Sequence, residues 1–522
     1  MDQQPDKVIV TNVAALKGKY GANGYDAIKN SVDALISADK QRGLVTVFVP
    51  LDDKGVMKTL SAPPVTRPID PAQNKEAIDA VYRALGPDYV VILGAIDIVP
   101  HQDMANPLLD PSGEDPDEYA YGDLPYACEA PYSRDAKDFI GPTRVVGRLP
   151  DVTGGTDPNY LAELLRVAAE YRPASLPSAK TYFAVTAQIW KKSTDLSVTN
   201  TFGAPAKVED VPPRDYKWST DQLQRHMHFF NCHGAPASSQ FYGQPSTGAS
   251  QYPPALDAAY IDGKLQEGTI VAAECCYGGE LYPVSATQTQ IGICNVYLAN
   301  KAYGFFASTT IAYGPAEGNG QADLICQFFL QNILRGSSNG RAALEARQTF
   351  VRKSSPMDPT DLKTLAQFNL YGDPSLTPVQ TPKAFVLAAA TDYTIAERSD
   401  RKDRRRLLFR EGIGLAAKEP VPTLVKRKPK KAILDRLHAS AEAQGRTPGS
   451  VLSFSIRQRG RAKLPHALAQ APSLPTAFHL LFTKSLDDTS SSRAETGVVD
   501  ILVFVGKEVD GELASITKIR SR

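Results

Sequence analysis

Two periods of apolar residues alternate along this chain. Short runs rich in Val, Ile and Phe recur at Lys7–Thr11 (K-V-I-V-T), 44–49 (L-V-T-V-F-V), Tyr89–Leu93 (Y-V-V-I-L), 181–185 and 304–310 (G-F-F-A-S-T-T). Apolar runs of this length, bounded by turn residues, predict buried strands. Between them lie stretches with helical apolar spacing. One is 25–38, with Ile28, Val32, Leu35 and Ile36 on one side. Another is 74–85, with Ile78, Val81, Tyr82 and Leu85. Residues 159–171, 291–303 and 322–334 read the same way. Strands alternating with helices predict an α/β fold with a mostly parallel sheet.

The middle of the chain holds two further apolar runs that stop on reactive residue types. The first, H-M-H-F-F-N-C-H-G, ends at His233-Gly234, and the second, G-T-I-V-A-A-E-C-C-Y-G-G, delivers Cys275 and Cys276. Residues 253–266 between them have room for a helix. Strand, helix, strand is a crossover unit with parallel strands, so both runs should end on the same edge of the sheet. That carboxyl edge is where open α/β sheets bind ligands.

A long loop at 100–141, rich in Pro, Asp and Tyr, shows no periodicity, and loops of that length are usually functional or mobile. Beyond about residue 380 the composition changes. Basic runs at 401–410 (R-K-D-R-R-R-L-L-F-R) and 426–431 (K-R-K-P-K-K) precede a helical pattern at 432–443. Strand-like runs follow at 451–456, 478–482, 498–505 and 512–519. The expected organisation is an N-terminal α/β subdomain (1–150), a second α/β subdomain bearing the reactive residues (151–380), a basic linker (381–431) and a small β-rich α+β domain (432–522).

Composition narrows the function classes. The formal net charge of 522 residues is only +1, so no global field favours nucleic acid or a membrane surface. No apolar stretch approaches the ~20 residues of a spanning helix, and the first residues lack the pattern of a signal peptide. The expected location is the cytoplasm, with no nucleic-acid or membrane partner. The six cysteines include no C-x-x-C pair and are too sparse for a disulfide scaffold, so they are expected reduced.

Cys276 precedes Tyr277, Gly278 and Gly279. A thiol at a strand end before glycines leaves room for a substrate backbone, and its own N–H can help bind an oxyanion. A histidine at the matching strand end supplies an acid/base partner. If Glu274 and Cys276 share one face of the strand, Cys275 points the other way. His226, His228 and Cys232 alternate onto one face, and Cys275 could join them, but the paired spacings of zinc sites are missing. No metal or cofactor is expected. Asp103, Asp115, Asp117 and Asp123 read as a solvated acidic loop. Arg404, Arg405 and Arg406 read as an exposed linker.

The motif E-C-C-Y-G-G resembles the nucleophile motif of the caspase-fold cysteine peptidases, in which the third residue, here Cys276, is the nucleophile. His233-Gly234 is similar to that superfamily's histidine signature. Four further segments resemble the gingipain-type branch in family order: 89–100 (Y-V-V-I-L-G-A-I-D-I-V-P), 123–127 (D-L-P-Y-A), 144–150 (R-V-V-G-R-L-P) and 368–375 (F-N-L-Y-G-D-P-S). The similarity spans about residues 45 to 380. It departs at Gly94-Ala95 and Gly122, and at Thr143, which stands where an acidic residue orienting the histidine is expected. The resemblance therefore implies a His233–Cys276 dyad on a caspase-like three-layer α/β/α core with a small β-rich C-terminal domain.

It further implies a cysteine endopeptidase acting through an acyl-enzyme on a protein or peptide substrate. The N–H groups of Gly234 and Cys276 would hold the oxyanion. Cleavage after Arg or Lys would need a buried carboxylate, for which Asp151, Glu317 and Asp323 are the candidates. Alternatives on the same fold are a non-catalytic interaction protein and a thiol acyltransferase. The C-terminal domain is a candidate surface for a regulatory partner, and the basic runs are candidate sites of self-cleavage.

Overall fold

The computed structural model describes residues 4–109, 115–286, 290–381, 393–426, 428–457, 476–484 and 495–522. Residues 110–114 of the long loop and Arg427 of the second basic run lie outside that set.

The fold is α/β, with a ten-stranded central sheet flanked by helices and a second, antiparallel sheet towards the C-terminal end. The central order runs Thr46–Pro50, Lys7–Thr11, Tyr89–Leu93, Val146–Leu149, Phe368–Tyr371, Gly304–Ser308, Ile270–Ala273, Met227–Asn231, Tyr182–Ala187 and Glu209–Val211. Neighbouring strands are parallel except Phe368–Tyr371, which runs antiparallel to Gly304–Ser308. The central strands are buried along their whole length, as continuous apolar runs covered on both faces require.

Two groups of helices cover the sheet. Val13–Gln41 packs on Pro158–Glu170, which meets Ile293–Ala299, while Gln321–Leu334 packs on Asn339–Lys353, Lys191–Phe202 and Pro359–Gln367. The helices expected at 25–38, 74–85, 159–171, 291–303 and 322–334 are all present, with shifted bounds. The crossover helix expected over 253–266 is not. Pro254–Asp257 is a strand paired with Gln240–Tyr242, and only Ala258–Ile261 is helical. Pro253 and Pro254 begin the stretch and Gly263, at φ 72°, interrupts it before its end, so little of it is free to wind.

The segments that carried the family resemblance are joined in space. Arg148 is fully buried and grips both oxygens of Asp123 at 2.6 and 2.9 Å. Its remaining N–H groups reach the carbonyls of Gly94 and Val99 at 2.9 and 2.6 Å. The Asp123 N–H donates to Asn369 Oδ1 at 2.7 Å. Asp373 pairs with the buried Lys7, which also meets Asp39 at 2.8 Å.

The second sheet orders Tyr313–Pro315, Glu512–Ser521, Leu502–Val509, Ala477–Lys484, Thr447–Arg457 and Val421–Val425. One face packs under the helix Lys431–Glu442 through Leu481, Leu502, Phe504 and Leu513. The alternate residues Leu480, Phe482, Val503 and Val505 belong to the main core, as the period of two dictates. This sheet therefore borrows its edge strand, Tyr313–Pro315, from the α/β region and shares its core.

The basic stretch 401–410 is not an open connector. It lies in the helix Tyr393–Lys418. Arg404 bonds Glu345 at 2.6 Å, Arg405 faces Asp88 at 3.6 Å, and Leu408 and Leu415 are buried. Gly412 crosses the backbone at Pro142 so closely that a Cβ would lie 2.3 Å from the Pro142 oxygen. Carboxylates supplied by distant segments turn a charged run into a docked helix.

Candidate active site

Register brings the two reactive residues together. Met227–Asn231 and Ile270–Ala273 are adjacent and parallel, with Phe230 opposite Ala273. His233 and Cys276 each lie three residues beyond that pair, on the carboxyl edge. The Glu274 N–H donates to Phe230 O at 2.8 Å. A Cβ on Gly234 would sit 1.7 Å from the Cys276 carbonyl oxygen, so only glycine can follow the histidine here.

Cys276 is buried, and its Sγ accepts from the Ala312 N–H at 3.3 Å and faces the Ala312 oxygen at 3.5 Å. Burial pushes its thiol pKa well up, with Lys363 among the weaker opposing influences. Cys275 faces the other way, with its Sγ near the Phe230 oxygen at 3.9 Å. Tyr277 takes the left-handed backbone region at φ 55°, a conformation that persists only where the surroundings enforce it. Its hydroxyl donates to Asp117 at 2.7 Å and its N–H to Thr310 O at 3.1 Å.

The His233 ring is buried between Trp190 and Tyr252, with ring centroids at 4.4 and 5.1 Å. Nε2 pairs with Gln244 Oε1 at 2.9 Å, and Nδ1 has no hydrogen-bond partner among the described residues. Burial lowers the imidazole pKa to about 4 against the opposing pull of Asp500, so the ring is neutral near pH 7. Thr143, at the position expected to orient the histidine, bonds Glu129 instead at 3.0 Å.

The space in front of these residues is filled by the chain itself. The Arg522 carbonyl oxygen accepts from the N–H groups of Cys276 at 3.2 Å and Gly234 at 3.4 Å, and the Arg522 N–H donates to Ala312 O at 2.9 Å. Its guanidinium is fully buried, with Nη2 3.0 Å from both Asp323 oxygens and 2.9 Å from Pro315 O. It also lies over the Trp190 ring at 4.5 Å. A Cβ on Gly314 would come within 2.3 Å of the guanidinium, so Gly314 makes one wall.

Asp323 enters from the first turn of the helix Gln321–Leu334 and also accepts from Asn231 at 3.3 Å. Glu274 is fully buried beside it. Burial and the Asp323 charge push Glu274 up. Burial pushes Asp323 up as well, but the Arg522 guanidinium opposes that shift, so Asp323, which carries the ion pair, is the ionised member of the two.

Of the three carboxylates expected to read a basic side chain, Asp323 is the one in this pocket. Asp151 is buried elsewhere, bonded to Lys19 at 2.7 Å, to the Tyr20 hydroxyl and to the Ala95 N–H. Glu317 is exposed and pairs with Lys192 at 3.3 Å. It lines an open cleft of about 870 Å³ further out, shared with Gln188, Ser246 and Arg520.

The loop aspartates are not solvated as expected. Asp115 and Asp117 accept from the buried Lys363 at 2.7 and 3.0 Å. Asp115 also holds the Tyr313 hydroxyl at 2.8 Å, and Asp117 the Ile311 N–H at 2.8 Å. Through Tyr277, Ile311 and Tyr313 this cluster fixes both segments that flank Cys276. No group of three or more His, Cys, Asp or Glu side chains is disposed to hold a metal among the described residues. His228 bonds Tyr297 at 2.7 Å. Sequence patterning did not single out Trp190, Gln244, Gly314, Lys363 or Arg522. Trp190 alone had a signal, as an aromatic just past the strand 181–185 on the ligand-binding edge.

No protein-family model and no curated protein matches this chain. A solved structure described as "Structure of Protease" is similar at 11% identity and a TM-score of 0.47, over 100% of this chain and 98% of that one. No helix among the described residues is long and apolar enough to cross a membrane.

Proposed function

We propose that this chain is a cysteine endopeptidase that cleaves after arginine. Cys276 is the nucleophile, His233 carries the proton, and the N–H groups of Gly234 and Cys276 hold the oxyanion. Asp323 and Trp190 read the guanidinium of the residue before the cut. One observation carries the reading. An arginine lies here as a substrate residue would, its carbonyl on two N–H donors and its side chain on a buried carboxylate.

The chemistry follows from these groups. The Cys276 proton passes to His233 as sulfur attacks the carbonyl carbon, because a buried neutral thiol and a neutral imidazole are the resting forms. The tetrahedral oxyanion is held by two N–H groups, which lie slightly long for a ground-state carbonyl and tighten as charge develops. His233 returns the proton to the leaving amine. Water then attacks the thioester, giving up a proton to His233, and the thiol is restored.

Arginine is favoured over lysine because the planar guanidinium stacks on Trp190 while bonding Asp323 and Pro315 O, which a compact ammonium cannot do together. A peptide library digested by the protein tests this. Cleavage after Arg, weaker after Lys and lost in Cys276→Ala, is expected. Cleavage confined to Asp or to small apolar residues refutes it.

A further inference from the structure

We infer that the last strand, Glu512–Ser521 with Arg522, is a built-in substrate mimic that closes this site in cis. The inference rests on reading the Asp323 pocket as the site for the residue before the cut.

The contact is that of a peptide added to a sheet edge. Ser521, Arg520 and Ile519 pair antiparallel with Tyr313, Gly314 and Pro315. Backbone pairing of this kind binds extended peptides with little regard for sequence, while pockets for alternate side chains set the selectivity. Arg522 fills such a pocket. Arg520, two residues back, is not in this pocket but forms a buried pair with Asp500. The segment is also held from behind. Glu512–Ser521 pairs along its length with Leu502–Val509, and the Ser521 hydroxyl donates to Val499 O at 2.6 Å. The mimic is therefore presented already extended and in register, so closing the site costs little further ordering.

The position also explains the state of the reactive pair. With Arg522 in place both His233 and Cys276 are sealed from water, which favours their uncharged forms. Of the arginines in the candidate self-cleavage run 401–410, Arg404 and Arg405 sit in a docked helix and pair with Glu345 and Asp88. Among the described residues, Arg522 is the arginine that bonds Asp323 in the pocket. A substrate must displace it, and the strand's edge at Tyr313–Pro315 is what the incoming peptide then uses.

The test compares the full chain with Arg522→Gln. With Cys276→Ala in both, agmatine is titrated while tryptophan fluorescence reports on Trp190. Saturable binding in Arg522→Gln and a response at least about tenfold weaker with Arg522 present are expected. That factor is a tether of about millimolar effective concentration set against a pocket affinity of about 0.1 mM. With Cys276 present, labelling by an arginyl acyloxymethyl ketone should likewise speed up about tenfold in Arg522→Gln.

Equal binding and equal labelling rates in both chains overturn the inference and leave the peptidase reading standing. No agmatine binding to a folded Arg522→Gln protein overturns both. Binding gained without labelling in either chain upholds the closure and sinks the peptidase reading. If Arg522→Gln does not fold, Arg522→Lys is used, which keeps a charge for Asp323 but loses the stacking. It should open the site in the same direction by a smaller factor, and an unchanged response overturns the inference.

Discussion

Removing the Asp323 charge tests the pocket most quantitatively. Asp323 is fully buried and meets Nη2 of the bound guanidinium at 3.0 Å through both oxygens. Nε and Nη1 have no partner among the described residues, and Pro315 O, at 2.9 Å, is the other acceptor. Asp323→Asn keeps the shape and deletes the charge. Breaking a buried, hydrogen-bonded charge pair costs about 2–5 kcal/mol, or roughly 30- to 5,000-fold in kcat/KM for an arginyl substrate. Glu274 moderates the loss. It lies beside Asp323 and is held protonated by burial and by that neighbour, so it can ionise once Asp323 is neutral. The single variant should therefore lose about 100-fold, and Asp323→Asn with Glu274→Gln should approach the upper end of the same range.

The assay is hydrolysis of a fluorogenic peptide ending in Arg, with an Ala-ending peptide as control, all in an Arg522→Gln background. Activity of the single variant within about threefold of its parent would refute the charge argument. Equal losses on both peptides would show a general disruption rather than loss of arginine recognition.

Other expectations follow from the same contacts. Gly314→Ala places a methyl within 2.3 Å of the guanidinium position, so arginyl cleavage should fall at least about tenfold while small residues before the cut are tolerated. A peptide library measures this, and unchanged arginine preference would contradict it. Lys363→Met strands Asp115 and Asp117 without their cation, which should cost about 3–5 kcal/mol of stability and slow Cys276 labelling. Denaturant unfolding and labelling rates check this, and a variant as stable and reactive as the parent would count against the cluster's role.

Acid should destabilise the fold. Burial holds His101, His228 and His233 at about 4, 3 and 4, below the ordinary 6.5, with Asp123 opposing at His101 and Asp500 at His233. Unfolded histidines take up protons first, so stability is full above about pH 6.5 and is lost as the pH falls toward 4. Melting temperature from pH 7.5 to 4.5 measures this, and a flat profile would contradict it.

Much of the site is local and so could be read from the sequence. Two apolar runs of the same kind had to become neighbouring parallel strands, and equal overhangs then placed His233-Gly234 beside Cys276. The period of two along E-C-C already turned Cys275 away from Cys276. What the sequence could not disclose rests on contacts between distant segments. Asp115 and Asp117 looked like solvent-facing acids until Lys363, from a helix far along the chain, met them in the interior. The run 401–410 looked like a linker because its carboxylate partners, Asp88 and Glu345, lie in other elements. Asp323 carried no mark that set it above Asp151 or Glu317. It is selected by Arg522, almost two hundred residues away, which a pattern in a short window cannot see.

The central claim is that Cys276 attacks a carbonyl seated on the Gly234 and Cys276 N–H groups. The most direct measurement is to label the Arg522→Gln chain with an arginyl acyloxymethyl ketone and map the adduct by peptide mass spectrometry. The account predicts a thioether on Cys276 Sγ, retained in Cys275→Ala and lost in Cys276→Ala together with all peptide hydrolysis. An adduct on Cys275, or hydrolysis that persists in Cys276→Ala, would contradict it.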